Sequence, residues 1–451
     1  MSAIATNHTL QPSAKPKVLV ITGPTAVGKT AISLTLAERL NGEIISADSV
    51  QVYKALDIGS DKISVAERRN IPHHLLDVFD PKDEFSAGQF YSLARAATAD
   101  ILSRGKTPIV VGGTGFYLRW YILGKPSTPP ASKDSEAAAE AALAKAWADA
   151  LQEKNQKKNS SSESLTEEEK WNAGVNLIKN LGDIESADRL RNESNNYYRL
   201  QRVVDILLQS PGKTLRDLNL NEAAPLDFDF RCYFLTRPRI ELYRRIDSRV
   251  EDMVASGVIA ETSRELLKKG LQANRNCSTR AIGYRQVLEY LDKAKTNTII
   301  KNKNIAAPII PLSESGIVEL ARNIQTASRQ LCHKQLSWFR DDPLFKWIDA
   351  SQGQKETVDQ ILELYKTPAH QGGCGAQFNG GRLSKEEEKL MKQYVTKFEK
   401  LVPGSDGIKN ALTEAKEALR GHSSGNMSGE NEGEEGLKSS LEEPVLKRSK
   451  K

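Results

Sequence analysis

Cysteine is scarce in this chain, and what there is forms no recognisable pattern. The four residues, Cys232, Cys277, Cys332 and Cys374, include no C-x-x-C pair. That speaks against a zinc finger and a disulfide framework, and fits a reducing compartment. Long apolar runs are missing too. No stretch reaches the ~18 apolar residues of a membrane helix. With 39% hydrophobic residues and a mean hydropathy of −0.49, a soluble globular protein with no membrane partner is expected. The N-terminus, MSAIATNHTLQPSAKPK, has no apolar stretch for a signal peptide, no arginine, and too little length for a transit peptide. A cytoplasmic location is expected, with nucleus or an organelle left open. Nor does one sign of charge dominate: 64 Lys+Arg against 58 Asp+Glu leave +6. That permits a polyanionic partner without requiring one.

What is present is enough chain, 451 residues, for two compact domains plus tails. KVLVIT (17–22) is an apolar, β-branched strand that runs into GPTAVGKT (23–30). Helical spacing over 29–41 ends at Asn41-Gly42, and EIISA (43–47) is the next strand. TPIVVGGTGFYLRW (107–120) reads as a strand, a Gly-rich turn and a helix start. This alternation predicts an α/β fold: a P-loop NTPase-like parallel sheet with helices on both faces. From 126 to 210 the composition turns helical, predicting an inserted helical domain. The sheet resumes at FRCYFLT (230–236), and Pro238 and Gly257 bracket a helix. Residues 293–315 read as a Lys/Asn/Pro-rich loop and 314–340 as a long helix. The expected organisation is a flexible 1–16, a catalytic core over 17–125 and 211–345, the insertion at 126–210, a partly helical extension at 346–420, and a disordered 421–451. Ser384 and Glu387 form a capping box for a helix over 384–402.

GPTAVGKT fits G-x-x-x-x-G-K-[ST] at Gly23, Gly28, Lys29 and Thr30, in the strand-loop-helix setting that makes the match specific. The loop Gly23, Pro24, Thr25, Ala26, Val27 and Gly28 would wrap a diphosphate, with backbone N–H groups from every residue but Pro24. Lys29 adds a point charge, and Thr30 can hold Mg²⁺ directly or through water. A P-loop kinase usually ends a neighbouring strand in a metal-binding acid, but IVVGGTG ends in Gly112, Gly113 and Thr114. The well-placed carboxylate is Asp48, in ISADSVQVYK (45–54). It can take a proton from a nucleophile, bind the metal, or cap a helix; the motif leaves these open. Arg245 and Arg249 share a helix face suited to diphosphate or RNA phosphate. Arg322, Arg329, His333 and Arg340 recur on one face as a basic stripe. His73 and His74 read as structural, having no third ligand nearby.

GPTAVGKT, ISADSVQVYKALDIGSDK, IPHHLLDV, FSAGQFY, PIVVGGTGFYL, RAIGYRQVLEYL and RQLCHKQLSWFR occur in this order. Together they resemble the tRNA dimethylallyltransferase (tRNA isopentenyltransferase) family, over residues 17 to 345. The chain looks most like plant-type members without a C-terminal zinc finger. The resemblance implies transfer of a dimethylallyl group from dimethylallyl diphosphate to N6 of adenosine-37 in tRNA, with Mg²⁺ as cofactor and a monomeric enzyme. It implies that Asp48, Thr25, Lys29 and Arg249 are catalytic. Ser49, Val50 and Gln51 would line the adenine site, with Thr114 near the flipped base. Further tRNA contacts are implied at Arg199, Arg202, Arg280, Tyr284 and Arg285. The long helix would add Arg329, Lys334, Gln335, Trp338 and Arg340 for the anticodon stem-loop. The chain departs from the family at Cys332-His333, where more basic residues are usual, and in a longer loop at 293–315. The rival readings are an adenylate isopentenyltransferase making free cytokinin nucleotides, a P-loop small-molecule kinase, and an RNA-binding protein with a vestigial loop. KRSKK (447–451) fits a nuclear signal, although such basic ends are common.

Overall fold

The computed structural model describes residues 15–158, 164–191, 197–219, 226–301, 312–367 and 383–423. Among them, six strands form one parallel sheet. β1 (Lys17–Thr22) leads through α1 (Lys29–Leu40) to β2 (Gly42–Ser46) and the two-residue edge strand β3 (His73–His74). α2 (Ala87–Ser103), β4 (Thr107–Val111) and α3 (Gly115–Leu123) follow. The strand order is β3-β2-β4-β1-β5-β6, with β5 spanning Asp229–Thr236 and β6 spanning Lys346–Asp349. Leu19, Val20 and Ile21 of β1 are fully buried, as a central parallel strand covered on both faces requires. β1 lies between β4 and β5, so the chain leaves it in both directions. The crevice at its carboxyl end is where open α/β sheets bind ligands.

The insertion is a helical unit with a core of its own. α4 (Lys133–Lys158), α5 (Glu167–Asn180), α6 (Ile184–Arg191), α7 (Tyr197–Gln209) and α8 (Leu215–Asn219) close around Trp171, Val175, Leu190, Leu200 and Val204. Helical structure thus runs on to Asn219, past the expected end at 210. Beyond β5 come α9 (Arg239–Ala255), α10 (Val258–Glu265), α11 (Cys277–Arg280) and α12 (Tyr284–Lys301). α13 (Glu314–Phe339), α14 (Gln354–Lys366), α15 (Lys385–Lys392) and α16 (Asp406–Ser423) complete the order.

Three boundaries differ from expectation. Residues 293–301, read as loop, continue α12, because that stretch contains no glycine or proline to stop it. The core does not end at 345: β6 pairs with β5 and α14 packs on α1. A four-residue strand carries too little periodicity to announce itself. The capping box at Ser384 and Glu387 is present, but its helix ends at Lys392 and gives way to an extended segment. The tail from 424 on lies outside the described residues.

Candidate active site

Loops at the carboxyl ends of β1 and β2 meet α9 around one cavity of about 1430 Å³, lined by Thr25, Lys29, Thr30, Asp48, Arg245 and Arg249 among others. Gly28 opens α1 with φ 105, a conformation open to glycine, at the turn from the loop into the helix. Pro24 and Val27 are buried, so they serve the site through their backbone. Lys29 Nζ folds onto its own loop, donating to Gly23 O at 3.0 Å and Pro24 O at 2.9 Å. Desolvation brings its pKa down from the ordinary 10.5 to about 8; the Asp48 carboxylate opposes that shift and Arg249 adds to it.

Asp48 follows β2 in an Asx turn. Its Oδ1 accepts from Val50 N at 2.8 Å and Gln51 N at 3.3 Å, which fixes the carboxylate at the cavity lining. Ser49, Val50 and Gln51 line the same cavity. The Gln51 amide donates to Ser60 O (3.2 Å) and Asp61 O (3.3 Å), so it holds the loop that carries Asp61. Arg249 joins these parts. One terminal nitrogen donates to Thr25 Oγ1 and the other to Asp61 Oδ2 at 3.1 Å. Its Nε is buried and has no acceptor among the described residues. Arg245 donates to Ala26 O at 2.8 Å. Arg237, which the sequence reading missed, donates to Val27 O at 2.9 Å from the end of β5. Its only signal was its place after a parallel strand.

The remaining residues fall into two groups. Arg280 lines the cavity and lies 5.4 Å from the ring centroid of Tyr198, at the insertion. Trp338 is half exposed and Lys334 exposed. Arg199 and Arg340 are partly exposed. Thr114 stands at the N-cap of α3, outside the cavity lining. Arg285 faces a smaller pocket between α12 and α13.

Four expectations are corrected. Tyr284 does not face RNA: it is fully buried, and its hydroxyl donates to Glu261 Oε1 at 2.6 Å. Glu261 also accepts from the backbone of Asp57, Ile58 and Gly59, pinning the loop that leads to Asp61. Arg329 is turned inward onto Asp247, between the rings of Tyr243 and Tyr394. Arg322 stacks on Phe398, so the C-terminal segment covers part of the basic stripe. Arg202 is committed to Asp205 and to Pro129 O within the insertion. Gln335 is no free RNA contact either. It accepts from Thr25 N at 2.9 Å and donates to Gly113 O at 3.0 Å, tying the phosphate loop to the β4–α3 turn. Gly113 permits this, since a Cβ there would stand 2.3 Å from Gln335 Nε2. Apart from the Arg202–Asp205 pair, these side chains have partners far away in sequence. His73 and His74 are structural contacts, on Ile71 O and Glu43 respectively (both 2.8 Å). Glu43 is buried, and Arg104 chiefly holds its carboxyl far below the usual range.

The fold and the cavity define the class: a P-loop α/β protein whose phosphate-loop motif, basic groups and a carboxylate border one cavity. Family models narrow it. The one described as IPP transferase matches residues 51–342, and the one described as isopentenyl transferase matches 16–77. The chain is 39% identical to tRNA dimethylallyltransferase 9 of Arabidopsis thaliana, covering 79% of this chain and 76% of that one. It is 33% identical to the tRNA dimethylallyltransferase of Protochlamydia amoebophila over 78% and 90%. A solved structure of a eukaryotic dimethylallyltransferase acting on tRNA is similar at 26% identity and a TM-score of 0.54, over 77% of each chain. The chain belongs to the IPP transferase family.

Proposed function

We propose that this chain transfers the dimethylallyl group of dimethylallyl diphosphate to N6 of adenosine-37 in tRNA. The observation that carries this reading is the shared cavity. Asp48, Lys29, Thr25 and Arg249 all line it. The relatives' names and the tRNA-acting structural neighbour support tRNA as the acceptor. A kinase is not favoured, since β4 ends in Gly112-Gly113 without a carboxylate. Prenylation of a free nucleotide leaves the insertion and Trp338 without a role.

The adenine amine is a weak nucleophile because its lone pair is delocalised into the ring. Asp48 Oδ2 accepts a hydrogen bond from N6 and takes its proton as the new N–C bond forms. The allylic C–O bond breaks, and its electron pair leaves with the diphosphate. Lys29, the loop amides and Arg249 stabilise the charge that develops there. Thr25 lies beside the departing oxygens, its hydroxyl oriented by Arg249. Ser49 and Val50 flank the adenine, and Arg280, Arg199, Lys334, Trp338 and Arg340 offer the outer surface for the anticodon stem-loop. The base must leave its stack to reach Asp48. The Thr30 hydroxyl borders the cavity and is a hard oxygen donor that suits Mg²⁺. That ion, when bound, would neutralise charge on the diphosphate.

The test is a transfer assay with Mg²⁺ and dimethylallyl diphosphate, offering unmodified tRNA and AMP in parallel. Isopentenyladenosine in tRNA alone is expected; product from AMP alone would overturn the reading.

A further inference from the structure

The segment after α15 was silent in the sequence, yet it docks on the helix that carries Arg249. α9 has two arginines four residues apart and two acids four residues apart. Arg245 and Arg249 hold the phosphate loop, at Ala26 O and Thr25 Oγ1. Asp247 and Glu251 are each two residues on, about 200° around the helix, so they occupy the opposite side. Both acids are buried, 3% and 2% exposed.

Their partners come from the C-terminal segment. Asp247 Oδ2 accepts from Tyr394 Oη at 2.7 Å and Thr396 Oγ1 at 3.0 Å, while Oδ1 pairs with Arg329. Glu251 Oε2 accepts from three successive amides, Glu399 N (2.9 Å), Lys400 N (2.7 Å) and Leu401 N (2.9 Å). Leu401 then joins Ile408, Ala411 and Ala415 of α16 in a core shared with α9, α10, α12 and α13. Buried carboxylates tolerate loss of their donors poorly, so these contacts fix the rotation and height of α9.

We propose that residues 394–401 are a positioning element for Arg249, clamping one side of α9 so that the other side meets the phosphate loop in register. The proposal rests on the diphosphate reading of that loop. Tyr394, Val395, Lys397 and Glu399 also border the active-site cavity, but the contacts that clamp Asp247 and Glu251 act on Arg249 through the helix.

The test is inorganic pyrophosphate binding, measured by calorimetry on the full chain. Four proteins are compared: wild type, Tyr394→Phe/Thr396→Val, Arg249→Ala, and the triple variant. The double variant removes two hydroxyls and keeps the packing. Loss of hydrogen bonds to a charged group predicts roughly tenfold weaker pyrophosphate binding in the wild-type background. In the Arg249→Ala background it predicts no further loss, because the interacting pair is already broken. tRNA affinity is expected to be unchanged. Equal weakening in both backgrounds would mean general loosening and overturn the proposal. So would undiminished pyrophosphate binding, or weakened tRNA binding alone, which would make the segment an RNA-facing wall. Should the coupling appear while wild type prenylates no tRNA, the acceptor reading fails and the positioning role stands.

Discussion

Asp48 Oδ1 accepts from the Val50 amide at 2.8 Å, so the carboxylate is oriented by its own turn before any substrate arrives. One oxygen is structural and the other is available for chemistry. Asp48→Asn keeps an acceptor for the turn but removes the base. We expect kcat to fall about 10²- to 10⁴-fold, with pyrophosphate affinity and melting temperature nearly unchanged. Asp48→Ala should lose the same rate and also about 1 kcal/mol of stability, since the turn amides lose their partner. Single-turnover transfer and thermal unfolding of both variants check this; an Asn variant at wild-type rate would exclude the general-base role.

Lys29 sets a pH limit. Its pKa is brought down from 10.5 to about 8, so the free protein carries this charge below pH 8 and loses it above. A bound diphosphate favours the ammonium and reverses the shift. Pyrophosphate binding should therefore take up a proton above pH 8, and affinity should fall up to about tenfold per pH unit there. Stability runs the opposite way, rising as pH climbs from 8 to 10.5. Burying this lysine costs folding free energy below pH 10.5 and costs most below pH 8, a cost the ligand offsets. Calorimetry in buffers of different ionisation enthalpy reads the proton uptake, and Lys29→Arg should abolish it.

Gln335 predicts a separation of substrates. It joins Thr25 N to Gly113 O. Gln335→Glu replaces the donor to Gly113 and puts a negative charge beside the phosphate loop. Donor KM should rise about tenfold or more while tRNA dissociation constants stay within twofold. A rise confined to the tRNA dissociation constant would restore the direct RNA contact expected from the sequence.

Tyr284 predicts the converse of an RNA ligand. Tyr284→Phe removes a buried hydrogen bond to Glu261 and should cost about 1.5–3 kcal/mol of stability. Donor and tRNA affinities should hold at temperatures where the variant is folded. Denaturant unfolding together with filter binding distinguishes the two roles.

Much of this was legible in the chain. KVLVIT, the loop after it and EIISA are local signals: their apolar runs and glycines specify a strand, a phosphate loop and a parallel neighbour whatever surrounds them. Asp48 was legible because it sits one turn beyond such a strand. The stripe of Arg322 and Arg329 was misread for a complementary reason. Helical spacing says which residues share a face, but not what covers that face, and here Tyr394 and Phe398 cover it.

The sequence by itself therefore determined the strands before and after the phosphate loop, the loop itself and the position of Asp48, because each is specified by residues close together in the chain, while the edge strand β6 was not. The tertiary structure decided which polar side chains remain for substrates. Gln335 reaches Thr25, Tyr284 reaches Glu261, and the 394–401 segment reaches α9. A buried donor or acceptor must find a partner wherever the fold supplies one, and no local pattern records where that will be.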